Sequence, residues 1–204
     1  MAMAYDNALI AGKLRRWEGY LDRFELPAWE SIPDIGLYME QVVAVLKGYL
    51  DYLPPELKEE QIITSATINN YVRTKIMPSP RKKRYYRVHI AYLIMICTMK
   101  QTLSIAMVQR MVPLNQSEDE VRIAYESYRE RHKLAAAYFV EQVRLVSAEI
   151  LEHEDKPALA AKEPKELIAT AVIISGFSKL LAEKILLLDN KTLENGGSIE
   201  IEGK

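Results

Sequence analysis

The chain has 204 residues, a formal net charge of −1, 49% hydrophobic and 27% charged side chains, and eight glycines. That length carries one large domain or two small ones with a real core, and a glycine-poor composition rich in Leu, Ile, Ala, Glu and Lys favours helices over a turn-rich β fold. The single cysteine, Cys97, excludes an internal disulfide and fits a reducing cytoplasm.

In chain order, a first helix is expected from Asn7 to Phe24. It starts without the apolar core of a secretory signal, so a cytoplasmic protein is expected. After the Pro-marked connection "ELPAWESIPDIG", a second helix is expected from Asp34 to Tyr52, with Leu37, Val42, Leu46 and Leu50 on its apolar side. The prolines of "LPPELKEEQ" end it. A short helix from Thr64 to Lys75 can be capped by Thr64 or Ser65, and Ile68, Tyr71 and Val72 give it helical spacing. It stops before "MPSP". The next helix, "VHIAYLIMICTMKQ" from Val88 to Gln101, is apolar on nearly every face and therefore reads as buried and central. Ser104 can cap a short helix, "IAMVQRMV". Ser117 and Glu120 form a capping-box pattern that opens a long helix to Leu151, with large residues at near-heptad steps. A last apolar helix is expected from Pro164 to Leu188, with Gly176 either breaking it or permitting a close crossing. Its most apolar run, Leu167 to Phe177, is too short to span a bilayer, so no membrane partner is expected.

The net charge hides an asymmetry. Residues 1–60 carry 6 basic and 11 acidic side chains, and residues 118–204 carry 12 and 17. Between Glu60 and Glu118 there is no acid, yet nine basic residues occur: Arg73, Lys75, Arg81, Lys82, Lys83, Arg84, Arg87, Lys100 and Arg110. A segment of +9 thus lies between two segments of −5 each. A solvated face usually mixes signs, so an acid-free stretch of this length points to a polyanion-facing surface.

The local order sharpens this. The short helix displays Ser65, Asn69, Asn70, Arg73 and Thr74 on one side. Asn can pair with adenine edges and Arg with guanine or phosphate. The stretch "PSPRKKRYYRVH" that follows can reach flanking phosphates through its basic residues and tyrosine hydroxyls. A helix followed by a basic hairpin is the layout of a helix-turn-helix with a wing. In a two-stranded wing neighbouring side chains point oppositely, so one of Tyr85 and Tyr86 packs inward and the other faces out.

The segment "TINNYVRTKIMPSPRKKRYYRVHIAYLIMICTMKQTLSI" resembles the winged-helix domain of MerR-type regulators. The matching positions are Thr67-Ile68, Tyr71, Ile76-Met77-Pro78, Arg84-x-Tyr86, Leu93 with Ile96, and Ser104-Ile105. Asn69 and Asn70 stand where that family usually has Arg and Tyr, and the first helix of the motif lies unusually far upstream. The resemblance implies that Tyr86 is the ring of the wing motif and Arg84 a phosphate contact. The phrases "LPAWESIPDIGLYMEQV", "ITSATINNYV" and "KKRYYRVHIAYLIMICTMKQTLSI" also look like an uncharacterised bacterial family found mainly in Firmicutes.

The fold expected is all-α: a winged helix-turn-helix core with a small β wing, a long C-terminal helix and an apolar helix. Residues 1–116 would hold the N-terminal helices and the DNA-binding domain. Residues 117–190 would form a helical dimerisation or regulatory region, and 191–204 a flexible tail. The expected activity is a DNA-binding transcriptional regulator acting as a homodimer. Its DNA contacts would be Ser65, Thr67, Asn69, Asn70, Arg73, Lys75, Arg81, Lys82, Lys83, Arg84, Tyr85, Tyr86 and Arg87. The alternative is a helical interaction module whose basic segment docks an acidic partner. The run Leu167 to Phe177 could line a small-molecule effector pocket, although such residues are more often plain core.

No enzyme signature is present: no G-x-S-x-G, no phosphate-binding glycine loop and no dinucleotide fingerprint. His89, His132 and His153 lie far apart without metal-ligand spacing, so no metal or other cofactor is expected. His89 reads as a capping or packing histidine, His132 as an interface or surface residue, and Cys97 as a buried inert thiol.

Overall fold

The computed structural model describes residues 6–51, 63–146, 172–181, 184, 188, 190–197 and 199. The described residues are mostly helical. The helices are α1 (Asn7–Leu21), a 3₁₀ turn (Trp29–Ser31), α2 (Met39–Tyr49), α3 (Ser65–Arg73), α4 (Arg87–Met99), α5 (Ile105–Met111) and α6 (Glu118–Val146). Residues 172–181 are also helical. Among the described residues there is no strand. Where a small β wing was expected stand two isolated antiparallel bridges, Leu37 with Tyr85 and Arg81 with Arg84.

The chain divides into two compact units, Met1–Glu25 with Lys133–Lys204, and Leu26–His132. The functional division drawn at 116/117 from the sequence falls just before α6, where Ser117 donates its N–H to Glu120 Oε2 at 2.8 Å.

In the first unit, α1 starts at Asp6, whose Oδ1 accepts from the N–H groups of Ala8 (2.9 Å) and Leu9 (3.1 Å). Its buried side is Leu9, Ile10, Leu14, Trp17 and Leu21. Trp17 meets Phe139 of α6 edge-on, with centroids 5.3 Å apart, and Phe139 stacks on Phe177 at 5.3 Å. Gly176 lies inside the 172–181 helix and does not break it, and among the described residues a Cβ there would meet nothing within 4 Å. The rest of the expected 164–188 helix lies outside the described residues, as do the end of the long helix past 146 and His153. Of residues 191–204, Ile199 lies beside α1: a Cβ on Gly12 would stand 2.7 Å from it.

In the second unit, α4 is the centre. Every residue from Val88 to Met99 is buried, as its all-round apolar sequence requires. Thr98 is tolerated there because its hydroxyl donates to Ile94 O at 2.9 Å and bonds with the Tyr128 hydroxyl of α6. Tyr92 satisfies its hydroxyl on the Pro113 carbonyl. Cys97 is buried among these side chains, and burial pushes its thiol up to about 12, which leaves it protonated and inert. The entry segment is pinned to α6 by polar bonds: Trp29 N–H donates to Glu126 at 2.6 Å, Tyr125 Oη–H to Pro27 O at 2.7 Å, and Arg129 Nε–H to Leu26 O at 2.9 Å. His132, expected at an interface or on the surface, is 2% exposed, and burial lowers its pKa to about 4.

Helix α2 begins five residues later than the sequence pattern suggested. Leu37 is drawn into extended pairing instead: its N–H donates to Tyr85 O at 2.8 Å and its carbonyl accepts from Tyr85 N–H at 2.9 Å. Helix formation then starts after Tyr38, whose N–H donates to Gln41 Oε1 at 2.9 Å. No helix among the described residues is long and apolar enough to cross a membrane.

Candidate nucleic-acid interface

Three elements of the second unit meet the acid-free segment: α3, the turn after it, and the hairpin that leads into α4. Helix α3 opens with a reciprocal cap. Thr67 N–H donates to Thr64 Oγ1 at 3.0 Å and Thr64 N–H donates to Thr67 Oγ1 at 2.8 Å. The Thr67 hydroxyl itself donates to Thr64 O at 2.8 Å, so it serves the cap. Ile68 and Tyr71 are buried, and Ser65, Asn69 and Arg73 are exposed at i, i+4 and i+8, one continuous stripe. Asn70 is half-buried and accepts from Arg73 Nη2 at 2.7 Å.

The helix ends in a Schellman motif. Ile76 N–H donates to Tyr71 O at 3.2 Å and Lys75 N–H to Val72 O at 3.1 Å, while Ile76 is fully buried. Lys75, at the left-handed position, has φ 55° and is exposed.

The hairpin is minimal. Arg81 and Arg84 exchange both backbone bonds at 3.0 Å, leaving Lys82 and Lys83 as the two-residue loop. Their φ angles are 50° and 62°, the signs of a type I′ turn. Arg81, Lys82 and Lys83 are exposed. Tyr85 is the inward ring, 3% exposed, and Tyr86 is half-buried, with the Arg81 guanidinium 5.9 Å from its centroid.

The last two arginines are held by the fold. Arg84 Nη1 donates to Gly36 O at 2.9 Å and Nη2 to Tyr38 Oη at 2.7 Å. Its guanidinium lies 4.2 Å from the Tyr38 centroid. A Cβ on Gly36 would stand 2.6 Å from Arg84 Cδ, so this crossing requires glycine. Arg87 pairs with Glu30 at 2.9 Å and donates through Nε to Ile32 O at 2.9 Å. Glu30 also pairs with Arg122 at 2.8 Å.

His89 ties the pieces together. It is 1% exposed; its Nδ1 accepts from Tyr86 N–H at 3.0 Å and its Nε2 faces Ser79 O at 3.1 Å. Both bonds are satisfied when the ring is neutral with its proton on Nε2. Burial lowers its pKa, with Arg81 adding in the same direction. His89 therefore both caps and packs.

The expected site residues thus sort by position. Ser65, Asn69, Arg73, Lys75, Arg81, Lys82 and Lys83 are outward. Thr67, Tyr85 and Arg87 are engaged in the fold. Tyr38 and Gly36 belong to the same neighbourhood, and sequence reasoning did not place them there. A glycine in a chain with only eight was the available signal for Gly36. Among the described residues no group of three or more His, Cys, Asp or Glu could hold a metal ion.

Fold and site together define a helical domain with a buried platform helix and a tight basic hairpin beside a short capped helix. The chain belongs to the family described as Domain of unknown function (DUF1836), whose model matches residues 27–130. Those bounds nearly coincide with the compact unit Leu26–His132, so the family and the site share one folded body. No curated protein and no solved structure matches the chain.

Proposed function

We propose that this protein is a DNA-binding regulator that uses α3 and the basic hairpin on duplex DNA. The observation that carries the reading is the placement of lysine at three left-handed positions, Lys75, Lys82 and Lys83. Folding alone favours Gly or Asn there. Lysine at all three, in a stretch of 57 residues without an acid, is what selection for outward positive charge would leave. The exposed stripe of Ser65, Asn69 and Arg73 supplies groups suited to base edges and phosphates.

The order of α3, hairpin and α4 is also the order that the MerR-type resemblance implies. In this reading the hairpin acts as a wing, the protein works as a homodimer in a bacterial cytoplasm, and it is not an enzyme. An effector site in the C-terminal helices would be a separate attribute. The alternative, a module that docks an acidic partner, draws support from Arg87, whose charge is already answered by Glu30. Arg81, Lys82 and Lys83 at the hairpin tip are exposed, which favours the DNA reading.

Binding to random-sequence duplex at several salt concentrations tests it. If each protomer of a dimer neutralises roughly three to five phosphates, the slope of log K on log salt is about −5 to −9. A folded variant with Ala at Arg81, Lys82, Lys83 and Arg84 is expected to bind more weakly with a shallower slope. No binding at low salt, or a slope near zero, refutes the reading and leaves the acidic partner.

A further inference from the structure

Resting on the DNA reading, we propose that Tyr38 is a positioning residue that holds the Arg84 guanidinium ready for a phosphate oxygen of the DNA backbone. Tyr38 lies outside the basic segment, at the start of α2, and is 50% exposed. It approaches Arg84 in two ways: its hydroxyl accepts from Nη2 at 2.7 Å, and its ring lies 4.2 Å from the guanidinium carbon. Gly36 O takes Nη1 at 2.9 Å from the other side.

A guanidinium has five N–H donors, so these two bonds leave three for a ligand. Neither partner is a carboxylate, and among the described residues no ion pair answers the charge of Arg84. Arg87 is the contrast: it sits close in sequence and gives its charge to Glu30 at 2.9 Å. An arginine already held in one geometry loses less side-chain freedom when it binds an oxyanion. The turn lysines Lys82 and Lys83 precede it directly, so the held guanidinium stands at the base of the hairpin and the loose charges at its tip.

The test is a double-mutant cycle on full-length protein with random-sequence duplex DNA, comparing native, Tyr38→Phe, Arg84→Ala and the double variant across salt. Tyr38→Phe is expected to weaken binding about three- to tenfold, the scale of the net contribution of one typical hydrogen bond. It should leave the salt slope unchanged, because no cation is removed. Arg84→Ala should weaken binding and flatten the slope by about 0.9 per phosphate released. In the Arg84→Ala background Tyr38→Phe should cost nothing. Gly36→Ala, whose Cβ would stand 2.6 Å from Arg84 Cδ, should likewise weaken binding more in the native background than in Arg84→Ala; thermal melting of each variant reports its folding. Tyr38→Phe binding like the native protein, or costing the same in both backgrounds, overturns the proposal while the DNA reading stands. Failure of the native protein to bind DNA at low salt overturns both.

Discussion

Lysine is a poor choice for a left-handed backbone. Its Cβ crowds the following carbonyl, at a cost of about 1–2 kcal/mol per residue. Among the described residues five non-glycines have positive φ: Lys75, Lys82, Lys83, Asn115 and Asn190. The two asparagines follow the usual tolerance of that residue type. The three lysines do not, and all three lie in the acid-free segment. In a type I′ turn the favoured pair is Asn-Gly. Replacing Lys82 with Asn and Lys83 with Gly is therefore expected to raise the unfolding free energy by about 1–2 kcal/mol. The same change should weaken DNA binding and make the salt slope shallower by about 0.9 for each phosphate that is no longer neutralised. Urea unfolding and fluorescence anisotropy on one sample measure both. A fall in stability would show that the turn is unstrained, and unchanged binding would remove the lysines from the interface.

At the scale of elements, the link between α3, hairpin and α4 runs through His89. Its two bonds join the Ser79 carbonyl, in the connection after α3, to the first turn of α4. The groups around it are Arg81 of the hairpin, Glu118 of α6, and the rings of Tyr85 and Tyr86 at 5.6 and 6.3 Å. Because its folded pKa is below the ordinary 6.5, the unfolded chain binds the proton more readily. Stability is then full above pH 6.5 and is lost as pH falls through the folded value. His132, lowered to about 4, acts in the same direction, its contribution being lost between pH 6.5 and about 4. Urea unfolding is expected to show stability falling as pH drops below 6.5, and NMR titration of His89 should locate the midpoint. A His89 resonance titrating at or above 6.5 contradicts this.

The same elements show what a sequence reveals. Helix α4 was legible because Val88–Met99 is apolar all round, and the caps at Thr64, Ser104 and Ser117 were legible because they act within three residues. The start of α2 was not, because Tyr85 takes Leu37 by a pairing far along the chain. The outward charges of the site followed from the missing acids. Composition could not tell Arg87, tied to Glu30, from Lys82, which is exposed. Nor could it show that the Thr67 hydroxyl is turned back onto Thr64.

For the whole molecule, charge follows the division into units. Residues 26–132 carry 14 Lys and Arg against 12 Asp and Glu, whereas the remainder carries 13 against 16. The excess positive charge thus sits on the body that the family model covers, and the negative excess lies on the rest. On the proposed DNA reading, a polyanion would be drawn to the first and repelled by the second, with salt screening both effects. A fragment spanning residues 26–132 keeps α2 to α5, the pinning of Trp29 by Glu126 at 2.6 Å, and the Tyr125 bond to Pro27 at 2.7 Å. It is expected to unfold cooperatively on its own, with fraying at the cut end of α6. At low salt it should bind random-sequence duplex DNA more tightly per protomer than the full chain, and the difference should shrink as salt rises. Circular dichroism melting and anisotropy titrations at two salt concentrations decide this. A fragment that fails to fold shows that the family unit depends on the flanking segments. A folded fragment that binds more weakly at every salt concentration places part of the DNA-binding surface, or the dimer that delivers it, in residues 133–204.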